Sequence, residues 1–161
     1  MKLFTFFAIC IIGLTTSFGQ DKFSVPELSQ EQVQQVLYNH VAAYATSGIS
    51  YAKSMGKTPE SYGRYVGDLF TPFWDPTAGL PGFANQIMFI LAGIHYTGEM
   101  KIVEQDENSI RIQMTNVDMP FKQGPMLGVT YEEYLEFSYG VLVVLADFMK
   151  LDFSHAVVDD G

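Results

Sequence analysis

Glycine and proline cut this chain into segments that suit a few helices and one hairpin. At Gly56-Lys-Thr-Pro59 one helical pattern stops and another starts. Glycine accepts the left-handed conformation past a helix end, Thr58 can cap the next helix, and Pro59 fits a first turn that needs no N–H from it. The same stretch contains Gly-Lys-Thr, the tail of a phosphate-binding loop. That loop needs a glycine five positions before Gly56, and Tyr51 stands there, with helix rather than strand ahead of it. The motif is therefore punctuation, and Lys57 a solvated loop residue.

Two further breaks follow. "TPFWDPTAGLPG", from Thr71 to Gly82, and "NVDMPFKQGPMLG", from Asn116 to Gly128, are too rich in proline and glycine for regular structure and read as loops. Ser29 with Gln32, and Thr130 with Glu133, are capping boxes that open a first and a last helix, the last reaching about Lys150. In the first helix, Val33, Val36, Leu37, His40, Val41, Tyr44 and Tyr51 recur at helical spacing and are expected to face the core. The second, from about Pro59 to Phe70, should turn Tyr62, Tyr65, Val66, Leu69, Phe70 and Phe73 inward, while Gly63 and Gly67 admit a close neighbour. Phe83 to Tyr96 reads as a buried helix. Residues 99–105 and 109–115 alternate around Asp106-Glu-Asn108 and predict a hairpin, and Phe153, His155 and Val157 predict a closing strand. The expected fold is α+β, with helices on one side of a small antiparallel sheet containing the hairpin.

Met1 to Gly19 has one cation at Lys2, an apolar run from Leu3 to Leu14 and small residues at Ser17 and Gly19. This is the layout of a secretory signal peptide, too short to span a bilayer, which takes ~20 residues. The expectation is a secreted or periplasmic protein whose mature part, 20–161, is a single domain. Cys10 falls in the leader, so the mature part has no thiol for disulfides, nucleophilic attack or metal binding. The full chain carries a formal charge of −9. Such an acidic surface disfavours nucleic acid and anionic membranes as partners.

The order of elements, with "GKTPESYGRYVGDLFTPFW", "MKIVEQDENSIRIQMTN" and "GVTYEEYLEFSYGVLVVLADFMKLDFSHAVVDDG", resembles the superfamily that contains the haem nitric-oxide-binding (H-NOX) domains, the four-vinyl-reductase domains and the L-2-amino-thiazoline-4-carboxylate hydrolase-like proteins. The resemblance implies a pocket between helices and sheet for a small, largely apolar molecule, and homodimerisation through the first helix. Its haem-binding branch pairs an axial histidine with a Tyr-x-Ser-x-Arg motif. Here His95 lies on a corresponding helix but that motif is absent, so no cofactor is expected, with haem on His95 as the alternative.

Ligand cavities are mostly apolar, so the candidate ligand-binding residues are Trp74, Tyr96, His95, Phe73, Tyr62 and Phe121, with Trp74 first because it lies in a loop. Against this, most such rings simply fill a core, and His40 on an apolar stripe is expected to be a core histidine. No metal site is expected: the acids show no calcium-loop spacing and the histidines no paired ligands. No Gly-x-Ser-x-Gly elbow occurs either. Metal-independent hydrolysis of a small heterocycle, by Asp75 with His95 or Asp118, is the enzymatic alternative. A homodimeric interaction protein with a closed interior is the third reading.

Overall fold

A computed structural model of the chain describes residues 27–94 and 98–157. The leader expected at 1–19 lies outside the described residues. The fold is α+β, with helices α1 (Gln30–Ser54), α2 (Pro59–Phe70), α3 (Gly79–Ile94) and α4 (Tyr131–Phe148) and strands β1 (Glu99–Gln105) and β2 (Ile110–Thr115). Among the described residues no helix is long and apolar enough to cross a membrane.

The helix ends follow the local chemistry. Ser29 and Thr130 each form a reciprocal capping box, with Gln32 and Glu133 respectively. Thr58 accepts from the Ser61 N–H ahead of Pro59, and Gly56 takes a φ of +74° after α1. The third helix begins at Gly79 rather than Phe83, because Pro81 falls in its first turn, where no intrahelical donor is lost. A short 3₁₀ turn at Thr71–Phe73 occupies part of the expected loop.

Strands β1 and β2 pair antiparallel, placing Met100 opposite Met114 and Ile102 opposite Ile112 on one face. A bulge between Ile102 and Glu104 then sets Glu104 against Arg111, and the pair closes at 3.1 Å. At the turn, the Asp106 carboxylate accepts from the Asn108 and Ser109 N–H groups and from Ser109 Oγ. The closing strand predicted from Phe153, His155 and Val157 does not form. Their two-residue spacing serves a helix instead: the Phe153 and His155 rings both lie against Tyr139 of α4, 6.1 and 5.0 Å away between centroids.

Helix α4 is the spine. Its middle meets α2 backbone to backbone, because Gly63, Gly67 and Gly140 remove the side chains that would hold the helices apart. At its C-terminal end, Leu145, Ala146 and Met149 pack with Trp74, Phe83 and Ile87. At its N-terminal end, Tyr134 packs with Ile49 of α1, Phe121 and Val129.

The glycine seam overturns the inward face expected of α2. Pro59, Gly63 and Gly67 are its buried residues; Tyr62 and Val66 are half-buried, and Tyr65, Leu69, Phe70 and Phe73 are exposed. The stripe expected of α1 is overturned likewise. The helix docks by Tyr38, Ala42, Thr46, Ile49 and Ala52, while Val33, Val36, Leu37, His40, Val41, Tyr44 and Tyr51 are exposed. On the docked face Ala42, Thr46 and Ala52 alternate with Tyr38 and Ile49, and Ile49 packs against Phe121 and Val129 of the loop ahead of α4. Thr46 can be buried there because its hydroxyl donates to the Ala42 carbonyl at 2.8 Å.

Candidate functional site: an open apolar face on the first two helices

At about 100° per residue, the docked and exposed apolar stripes of α1 lie roughly 140° apart, so the helix has two apolar faces and uses one. The open face carries Val33, Leu37, His40, Tyr44, Ser47, Tyr51 and Ser54 at alternating four- and three-residue spacing, the pattern of a helix seam. Tyr44 is 77% and Tyr51 69% exposed. The seam serines are satisfied within the helix: Ser47 Oγ donates to the Ala43 carbonyl and Ser54 Oγ to the Tyr51 carbonyl, both at 2.7 Å. Covering them therefore orphans no donor. Glu31 and Lys53, the only charged residues of α1, project from the other side, and Lys53 Nζ is committed to the Glu133 carboxylate and the Gly128 carbonyl.

Helix α2 meets α1 beside this face. A Cβ on Gly48 would run into the Tyr62 ring, so the two helices cross there. Tyr44 and Tyr51 lie one turn either side of Gly48, and Tyr65 and Leu69 lie one and two turns beyond Tyr62 on the same side of α2. Tyr65 and Leu69 are both exposed, so apolar side chains are open on both helices near the crossing. Large apolar side chains exposed in number on neighbouring elements mark interaction sites.

The residues expected to bind a ligand are distributed differently. Trp74 is 7% exposed and sits in the core with Phe83, 5.5 Å between ring centroids. Tyr62 and Phe121 belong to the other cluster: Tyr62 stacks on Phe137 at 5.5 Å, and Phe121 lies against Tyr131 and Tyr134. Phe73 is exposed and touches Phe70. His95 and Tyr96 lie outside the described residues, and haem ligation by His95 with them. Among the described members, Trp74, Phe73 and the Tyr62–Phe121 group occupy three separate places rather than one wall. A cleft of about 100 Å³ opens elsewhere, lined by Glu99, Met100, Lys101, Gln113 and Thr115 of the hairpin. It is small beside the roughly 300–1,000 Å³ of ordinary ligand pockets.

Among the acids, Asp75 is held by the hydroxyl and then the N–H of Thr77, which keep its carboxyl below the usual carboxylate range, the reverse of what a general base needs. Burial pushes the Tyr134 and Tyr131 phenols up, the charge of Asp118 adding to the effect at Tyr131. No group of three His, Cys, Asp or Glu side chains among the described residues is arranged to hold a metal ion.

Sequence reasoning found Val33, Leu37, His40, Tyr44 and Tyr51 of this face but assigned them to the interior, and did not include Ser47 and Ser54. Only the composition of the opposite face, Ala42, Thr46, Ile49 and Ala52, could have signalled that α1 docks through smaller residues. No protein-family model, curated protein or solved structure matches this chain.

Proposed function

We propose that this chain is an exported protein-interaction module that pairs with a second copy of itself through the open face of α1 and the adjoining side of α2. The observation that carries the reading is the exposure of Tyr44 and Tyr51 on a charge-free helical seam while Trp74 is packed inside. A symmetric pair needs a patch complementary to itself, and knobs such as Leu37, Tyr44 and Tyr51 alternating with the smaller Ser47 and Ser54 supply that. Charge supports it too. Two copies at −9 repel, but the seam brings no carboxylates together, so the repulsion falls on surfaces left in water. The layout of Met1 to Gly19 supports export.

Sedimentation of the full chain and of the Leu37→Glu/Tyr51→Lys double variant tests this. The wild type should sediment as a dimer, and the variant, with unchanged helical circular dichroism, should weaken pairing by about thirtyfold or more, as expected for truncated interface anchors. A wild type that stays monomeric ends the reading, as does a dimer indifferent to the variant.

A second reading, binding of a small apolar or aromatic molecule, rests on the same open tyrosines, which offer flat faces and phenol hydroxyls. Native mass spectrometry separates the two: a bound small molecule on a monomer, lost in the double variant, favours the second.

A further inference from the structure

We infer that His40 makes this pairing proton-sensitive, so that two copies associate when its imidazole is neutral and separate when it is charged. The inference rests on the pairing proposed above and concerns its regulation.

His40 sits within the seam, between Leu37 and Tyr44, with Val36 and Val41 beside it. It is exposed in the single chain, and its ring lies 6.3 Å from that of Tyr44, between centroids. Covering the seam would place the ring among apolar side chains. A neutral imidazole enters such a place readily, whereas an imidazolium without a carboxylate partner is expelled.

Among the described residues no carboxylate forms an ion pair with His40, and the loop that packs on α1 through Phe121, with its Asp118 and Lys122, meets the helix at Ile49, nine residues further along. On α1, Glu31 projects from the opposite side, and Tyr38 belongs to the docked face. Helix α2 meets α1 at Gly48 through Tyr62, eight residues or ~12 Å further along; its Glu60 and Arg64 are paired with each other. Helix α4 meets α1 near Ile49 and Lys53 through Tyr134 and Glu133, at least nine residues or ~14 Å from His40, and Glu133 is already held by Lys53. From a second copy the α1 seam offers Tyr44, Tyr51 and its own His40, and a second imidazolium would only add repulsion; on the adjoining α2 the exposed carboxylate is Asp68, six residues beyond the Tyr62 crossing.

The sign of the effect is diagnostic. Acid neutralises carboxylates and relieves the repulsion between two chains at −9, which by itself tightens association. Histidine on the seam pushes the other way. His155 is on the C-terminal tail against Tyr139 and should not contribute.

The test is the dissociation constant of the full chain by sedimentation at about pH 8 and about pH 5.5, on either side of the ordinary imidazole range near 6.5. Pairing should weaken by about tenfold or more at the lower pH. His40→Leu and the similarly sized His40→Gln should remove that loss and reveal the opposite, acid-tightened trend, while His155→Gln keeps the wild-type profile. Pairing that weakens in acid equally in His40→Leu and His40→Gln overturns the proton gate and leaves the pairing standing. Pairing in the wild type that does not weaken in acid also overturns the gate. A wild type that is monomeric at every pH overturns both.

Discussion

Gly63 of α2 and Phe137 of α4 meet through their backbones: a Cβ on Gly63 would run into the Phe137 carbonyl oxygen, and one on Gly140 would run into the carbonyl of Glu60. This contact sets which face of α2 is buried, and so which residues the molecule leaves outside. Once glycines lie against α4, Tyr65 and Leu69 have nowhere to go but solvent or another molecule.

The first prediction concerns that seam. Gly63→Ala and Gly140→Ala force the two backbones apart and should each destabilise the fold by about 1–3 kcal/mol, the usual range for overpacking. Gly93 has nothing within 4 Å of its would-be Cβ, so Gly93→Ala is the control. It should be neutral or stabilising by up to about 1 kcal/mol, since alanine is the better helix former. Thermal denaturation reads all three, and a Gly63→Ala variant that melts like the wild type would contradict the packing.

Trp74, the single tryptophan, reports on its own role. As a core residue beside Phe83 and Met149 it should emit at short wavelength and resist acrylamide quenching. Trp74→Ala should cost about 3–5 kcal/mol, as large aromatic truncations in cores do. Red-shifted, readily quenched emission in the folded protein would place the indole in an open site instead.

Acid should weaken the join between α1 and α4. The hydrogen bond from Lys53, with that of the Thr130 N–H, holds the Glu133 carboxyl below its ordinary value. A carboxyl depressed in the folded state stabilises it above the ordinary carboxylate range, and that contribution is lost as pH falls through the depressed value. Lys53→Met should cost about 1 kcal/mol or less, because the pair is partly exposed, and should make stability less steep in acid. An acid limb unchanged in Lys53→Met would refute the assignment.

The alkaline side is governed by Tyr134 and Tyr131. Burial raises both phenols in the folded state, so their contribution is intact below the ordinary tyrosine value of about 10 and is lost as pH rises through the raised one. Tyr134→Phe should flatten the decline above about pH 10. Ultraviolet titration should show two phenols ionising late, and their absence would contradict the burial.

Local chemistry was readable wherever it needs only a few neighbouring residues. The Ser29–Gln32 and Thr130–Glu133 boxes, the break at Gly56 to Pro59 and the hairpin around Asp106 all formed as their side chains dictate, since each joins groups at most a few positions apart. The bulge at Val103 was not legible, because alternation tolerates one extra residue without a visible break. The ligand-site residues fared differently: Trp74 and Phe121 were known to be aromatic, but which cluster each would enter depended on where α4 ran.

By itself, then, the sequence determined the four helices and the hairpin, the caps of the first, second and last helices and the apolar character of each stripe, though not the absence of a strand at 153–157, because periodicity and capping are properties of adjacent residues. Only the tertiary structure decided which stripe is inside. Helix α1 carries two apolar faces and α2 an aromatic and a glycine face, and hydropathy ranks the larger side chains as the core. Close approach of α2 to α4 reverses that order, since backbones that touch exclude large side chains, and α1 docks by the face that carries Ile49. The rings so displaced became the surface from which function is inferred.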